Sequence, residues 1–313
     1  STRDWSSDVC SSDLVSHGAL MVGGWLGTVI ALERAVALKT RLAWAAPALS
    51  ALGGAALASG HFAGGGLLLC GAAAAFTATG AQLLRRQRAV HHGVMILAGA
   101  AWLAGNAGAA WGAAHDAVLA AWFAFLVLTI AAERLEMTRL LRRHPAAQPA
   151  FLAIVALLLG GVALAYAQPA AGLAIYGTAL VALAAWLATQ DIARITVRQH
   201  GLPRYMAVAL WLGYGWLAFG GVAWLGMAFG CPGREAAVHA LGLGFVISMV
   251  MAHAPVILPA LARVKLRFSA AFYAPLALLH LSLAWRLAVD LPDRKSTRLN
   301  SSHEWISRMP SSA

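Results

Sequence analysis

The sequence predicts an all-α, polytopic membrane protein, and three observations predict it. Hydrophobic residues make up 60 % of the chain and charged residues only 11 %, whereas a soluble domain carries about a quarter charged residues. The charges fall in short clusters between about ten apolar runs, most of them long enough to cross a bilayer as a helix. Those clusters also alternate along the chain between strongly basic and nearly uncharged. Lipid offers no partner for an unpaired backbone group, so a bundle of spanning helices is the architecture such a chain can adopt.

Both ends read differently from the rest. Residues 4–14 (DWSSDVCSSDL) and 293–303 (DRKSTRLNSSH), followed by 307–313 (SRMPSSA), match translated sequencing-adapter sequence. Residues 1–14 and 293–313 are therefore expected to be adapter-like artefacts, flanking a transmembrane bundle over 15–292 that is cut from a longer gene. Within that segment only Cys70 and Cys231 remain, which suggests neither a disulfide framework nor a thiolate metal site.

The expected spans are 15–38, 43–60, 64–84, 90–112, 117–138, 149–167, 171–193, 205–229, 236–262 and 269–289. Five connections carry the basic residues: Arg34/Lys39/Arg41, Arg85/Arg86/Arg88, Arg134/Arg139/Arg142/Arg143, Arg194/Arg198/Arg204 and Arg263/Lys265/Arg267. The intervening connections hold only Arg234, with Arg286 at the far end of the last span. The positive-inside rule places the basic loops in the cytoplasm and starts the first span outside. A net charge of +11 then belongs to loops facing anionic lipid, the partner it implies, and is no sign of nucleic-acid binding. The expected location is the bacterial inner membrane. An outside start also suggests a missing upstream helix.

An internal repeat accompanies this layout. The first span ends G-T-V-I-A-L-E-R at Arg34 and the fifth ends V-L-T-I-A-A-E-R at Arg134. Both run in the same direction, so the repeat is parallel, built of four-helix units. The ninth span takes the third place, giving an expected pseudo-threefold arrangement, with His253-Ala254-Pro255 near where the others have Glu-Arg.

Histidines carry the candidate chemistry. An ionisable side chain within a span is costly and faces the bundle interior or a cavity. His17 opens H-G-A-L-M-V-G-G-W near the outer end of the first span, and His239 lies one turn into the ninth, in A-V-H-A-L-G-L-G-F. The two share a depth although they are far apart in sequence, as two imidazoles on opposite faces of a porphyrin would. Interfacial or packing histidines explain each one equally well alone. His253 lies about 21 Å deeper, fourteen residues on at about 1.5 Å per residue, in S-M-V-M-A-H-A-P-V-I-L-P. Pro255 and Pro259 deprive two carbonyls of their helical partners, which predicts a broken helix lining a cavity or path. His280, mid-span in A-L-L-H-L-S-L-A-W, fits a ligand, a proton relay or a hydrogen-bonded core residue. His91 and His92 open the fourth span and read as interfacial. His115 and the other loop histidines receive no role.

Glu33 and Glu133, each followed by arginine, read as snorkelling or ion-pairing groups, with a proton relay as the alternative. Asp191 and Arg194 close the seventh span in the same manner, and Asn106 reads as interhelical glue. Soluble-type hydrolytic or nucleotide motifs are absent from the sequence: it has no P-loop, G-x-S-x-G or H-E-x-x-H.

His17-Gly18-Ala19-Leu20-Met21 resembles the H-G-x-x-M segment of haem–copper oxidase subunit I. The H-x-x-x-M-x-x-G opening and F-V-I-S-M-V-M-A-H-A-P (Phe245 to Pro255) are similar to the NnrS family of multispanning bacterial proteins. That resemblance implies an integral membrane haem-binding protein linked to nitric oxide stress. It implies haem b held by His17 and His239, and allows copper, with His253 and His280 as further metal-site or proton-path residues. Ala19 and Leu20 stand where that family often has His and Glu. The rival reading is a transporter or channel with a His/Pro-lined path in the ninth span. A structural or assembly subunit without a site of its own is the third.

Overall fold

A computed structural model describes residues 17–38, 40–138, 144–262 and 267–306, with side chains described as far as Val289 apart from Leu258 and 260–262. All regular structure among the described residues is helical. Residues 1–14 lie outside them, whereas 293–306 continue the last helix. We number ten helices: α1 (Ala19–Leu38), α2 (Ala45–Ala58), α3 (Phe62–Arg86), α4 (Val90–Ala110), α5 (His115–Met137), α6 (Ala147–Ala167), α7 (Pro169–Gln190), α8 (Leu202–Ala228), α9 (Arg234–Ala262) and α10 (Tyr273–Ile306). Nine of these described helices are long and apolar enough to cross a membrane, and the chain is a multi-pass membrane protein. The expected span 43–60 forms as α2, only 14 residues long, after a 3₁₀ turn over Arg41–Trp44. A helix of that length rises only about 21 Å, short of a hydrocarbon core of about 30 Å.

Three of the four turns away from the arginine-rich loops share one stop signal. Gly60, Gly112 and Gly230 have φ of 83°, 69° and 79°. The residue after each donates its N–H five residues back, His61 to Ala56 O, Ala113 to Gly108 O and Cys231 to Gly226 O. This left-handed glycine stop satisfies the last helical carbonyls and reverses the chain within a few residues.

Consecutive helices pack as neighbours: α2 on α3, α3 on α4, α4 on α5, and α7 between α6 and α8. The centre of the bundle is α5. Of its most apolar window 89 % is buried, against 17–56 % for the other eight spans. Every residue from Ala117 to Thr129 is buried, which is the behaviour of a helix apolar on all faces. Trp102 of α4 lies against it, stacked on Phe125 at 4.5 Å between centroids and 11° between planes.

Two helices depart from α geometry at matching places. α1 opens with a π-helical stretch, Ala19–Leu26, and α9 carries one over Ala240–Ile247. At the end of the first, Gly27 donates its N–H to Val22 O, five residues back. Both stretches pack on α5. Glycines bring each against its other neighbours: a Cβ at Gly24 would lie 2.9 Å from Gly54 Cα of α2, and one at Gly244 would strike the Trp216 ring of α8.

Candidate functional site

His17 stands two residues before the π-helical stretch of α1, and His239 immediately before that of α9. Both line one cavity of about 260 Å³. π-Helical turns widen a helix locally and recur at functional sites. Here they follow two histidines that lie far apart in the sequence and open on the same space. The back wall is α5, through Leu119, Phe123 and Leu126, while Met21, Trp25 and Leu243 supply apolar surface from α1 and α9. Gly18 lets α1 approach that wall, since a Cβ there would lie 3.0 Å from the Trp122 ring.

The tautomer of His239 follows from its partners. Nδ1 lies 2.8 Å from the backbone oxygen of Glu235 and 3.3 Å from Glu235 Oε2. Both oxygens only accept, so Nδ1 carries the hydrogen and the lone pair falls on Nε2. Anchoring one imidazole nitrogen on a carbonyl in this way is how metal-binding histidines are oriented and made more basic. His17 is exposed at the edge of the cavity.

A third histidine lines this cavity, and the sequence reading assigned it no role. His115 opens α5, at the same end of the bundle as His17 and His239. It begins the second of the internal-repeat helices, close to the repeat position of His17, but in the sequence it reads like any other histidine at a loop end. Charged groups rim the same end. Arg234 donates to both carboxylate oxygens of Asp116, at 2.6 and 3.0 Å, tying α9 to α5. Arg286 of α10 lies 3.5 Å from Glu235.

His253 does not open on this cavity. Its Nδ1 is 2.7 Å from Met249 O and its Nε2 is 3.1 Å from Arg134 Nη1. A carbonyl accepts and a guanidinium donates, so the ring is neutral, with both nitrogens engaged. No lone pair is left for a metal in this arrangement. Nor does the expected break in α9 occur, because the helix runs through Pro255 and Pro259 to Ala262. Arg134 also grips Asp191 through Nε and Nη2, at 2.7 and 3.0 Å. Thus α5, α7 and α9 are pinned together around a buried ion pair. Asp191 Oδ1 in turn accepts the Ala193 N–H at 2.7 Å and so caps the following helical turn.

His280 is likewise committed. Trp216 Nε1 donates to its Nδ1 at 2.8 Å, with the two rings within 8° of parallel, and Ser248 Oγ lies 3.4 Å from its Nε2. The residue joins α10 to α8 and α9, the core role the sequence left open. Among the described residues, no group of three or more His, Cys, Asp or Glu is placed to hold a metal ion.

The two Glu-Arg pairs of the repeat are joined crosswise. Arg34 of α1 pairs with Glu133 of α5, while Arg134, the next residue, turns to Asp191 and His253. The first helices of the three expected units are therefore linked in order, α1 to α5 to α9, near the ends that lead into the arginine-rich loops. His91 and His92 join this layer. They are buried, with rings 4.0 Å apart and His91 Nε2 3.7 Å from Glu136 Oε2.

The family model of a domain of unknown function (DUF8744) matches residues 9–303. The chain belongs to this family. No curated protein and no solved structure matches it.

Proposed function

We propose that this chain is an integral membrane haem-binding protein of the bacterial inner membrane, with haem b held by His17 and His239. The observation that carries the reading is their convergence, from two different helices, on one apolar cavity. The residues present suit such a group. Apolar walls from α1, α5 and α9 accept a flat macrocycle, and His239 keeps an Nε2 lone pair because Nδ1–H is spent on Glu235. Imidazole is a common protein ligand of haem iron. Haem held by two imidazoles would supply a redox-active iron suited to electron transfer. A connection with nitric oxide stress rests on the likeness of the H-x-x-x-M-x-x-G opening to NnrS proteins, and the inner membrane on the basic loops.

The protein's own contributions are structural. Glu235 fixes the His239 ring, α5 closes the back of the cavity, and the Arg234–Asp116 pair ties two of its walls together at the rim. Full-length protein purified from membranes is expected to show a Soret band that is lost when His17 and His239 are both changed to alanine. A protein without that band, or one whose double variant keeps it, would overturn the assignment.

A further inference from the structure

A second and larger cavity, of about 490 Å³, lies among α1 to α5 on the side away from the arginine-rich loops. It is scooped out by small residues, Ala63 and Gly66 of α3 and Ala109 and Ala110 of α4. Phe62 and Leu67, both exposed, form part of its lining. Phe62 to Cys70 spans about 12 Å of helix rise, within one leaflet of a hydrocarbon core about 30 Å thick. Trp111, exposed at the end of α4, marks the level at which aromatic residues meet the headgroups.

The interior makes no polar demand on an occupant. Asn106, buried at the base, donates from Nδ2 to Leu69 O at 3.0 Å and accepts from Trp122 Nε1 at 2.9 Å. Cys70 contributes only a weakly polar thiol. Each polar group of Asn106 already has one partner within the protein, and a hydrocarbon chain asks for none. The medium on this face of the bundle supplies such chains.

We propose that this cavity binds one acyl chain of a phospholipid from the outer leaflet, seated between α3 and α4 with its methyl end toward Asn106. The chain fills space that helix packing leaves empty and shields the Asn106–Trp122 hydrogen bond. This site is independent of the haem assignment.

The structure provides matched variants for the test. A Cβ at Gly66, which lines the cavity, meets nothing within 4 Å, and neither does one at Gly64, which does not line it. Gly66→Phe therefore obstructs the cavity without a backbone clash, and Gly64→Phe is its control on the same helix. Full-length protein in bilayers would be photolysed with a phosphatidylethanolamine bearing a diazirine near the end of one acyl chain. Adducts are expected in the peptides covering 62–70 and 106–110. Gly66→Phe should reduce them about tenfold, an affinity loss of about 1.4 kcal/mol, while Gly64→Phe leaves them unchanged. Adducts confined to other helices, or equal in both variants, would overturn the proposal. So would displacement of the lipid adduct by an equimolar isoprenoid quinone, which would assign the cavity to that class instead.

Discussion

Arg134 Nη1 lies 3.1 Å from His253 Nε2 while the same guanidinium grips both carboxylate oxygens of Asp191. One side chain of the central helix thus holds both α7 and α9. Arg134 is 4 % exposed and Asp191 1 %, so removing either partner strands a charge in a low-dielectric interior. Breaking a buried pair from one side costs about 3–5 kcal/mol. Asp191→Ala is expected to lower the thermal unfolding midpoint in detergent sharply. His253→Ala, which loses one hydrogen bond to a charged group, should cost about 1.5–3 kcal/mol. It should leave any haem absorption in place, because the ring's two nitrogens face Met249 and Arg134. Loss of absorption in His253→Ala at unchanged stability would contradict the network.

The Arg234–Asp116 pair offers the contrast. Its geometry is as good, but Arg234 is 47 % exposed, and exposed pairs contribute about 0–1 kcal/mol. Asp116→Asn is expected to leave the unfolding midpoint nearly unchanged. A loss comparable to that of Asp191→Ala would show that this rim is far drier than its exposure indicates.

Arg34 and Glu133 join α1 to α5, and both are partly buried. In a double-mutant cycle with Arg34→Gln and Glu133→Gln, the pair should be less destabilised than the sum of the singles, by about 0.5–3 kcal/mol. Additive losses, measured by thermal unfolding of all four proteins, would remove this pair as the link between the repeated helices.

The approach of α1 to α2 is backbone on backbone, with Gly24 and Gly54 each blocking a Cβ on the other at 2.9 Å from Cα. No side chain can rotate away there. Gly54→Ala is expected to cost about 1–3 kcal/mol through overpacking, whereas Gly66→Ala, which meets open space, should be close to neutral. Equal effects in thermal unfolding would mean that α2 shifts freely.

The π-helical stretches set the direction of the two cavity histidines. A π turn accommodates extra backbone within a helix, so removing one residue from Ala19–Leu26 should restore α geometry. His17 would then rotate by about 100° relative to the rest of α1, one residue's share of a 3.6-residue turn. Deletion of Met21 is expected to abolish the Soret band while the protein remains folded by circular dichroism. A band that survives the deletion at full intensity would show that His17 takes no part in holding the group.

The spanning helices and the polar residues within them were legible in the sequence. Spanning segments must be apolar and must satisfy their backbone internally, and Arg34, Arg85, Arg134, Arg194 and Arg267 mark one side. The pairing of Ile-Ala-x-Glu-Arg across the first and fifth spans also pointed to helices that turn out to be joined, Arg34 to Glu133. Burial was not legible. In a soluble protein the apolar stripe shows which face is inside, but in lipid both surroundings are apolar. Nothing in Ala117–Thr129 distinguished the central helix from one facing lipid. The same loss of contrast hid His115, which reads like any loop-end histidine until α5 is placed behind the cavity. Tertiary structure decided how the four candidate histidines divide. Packing engaged both nitrogens of His253 and of His280 in hydrogen bonds, and it turned His17 and His239, each beside a π-helical stretch, onto one shared cavity.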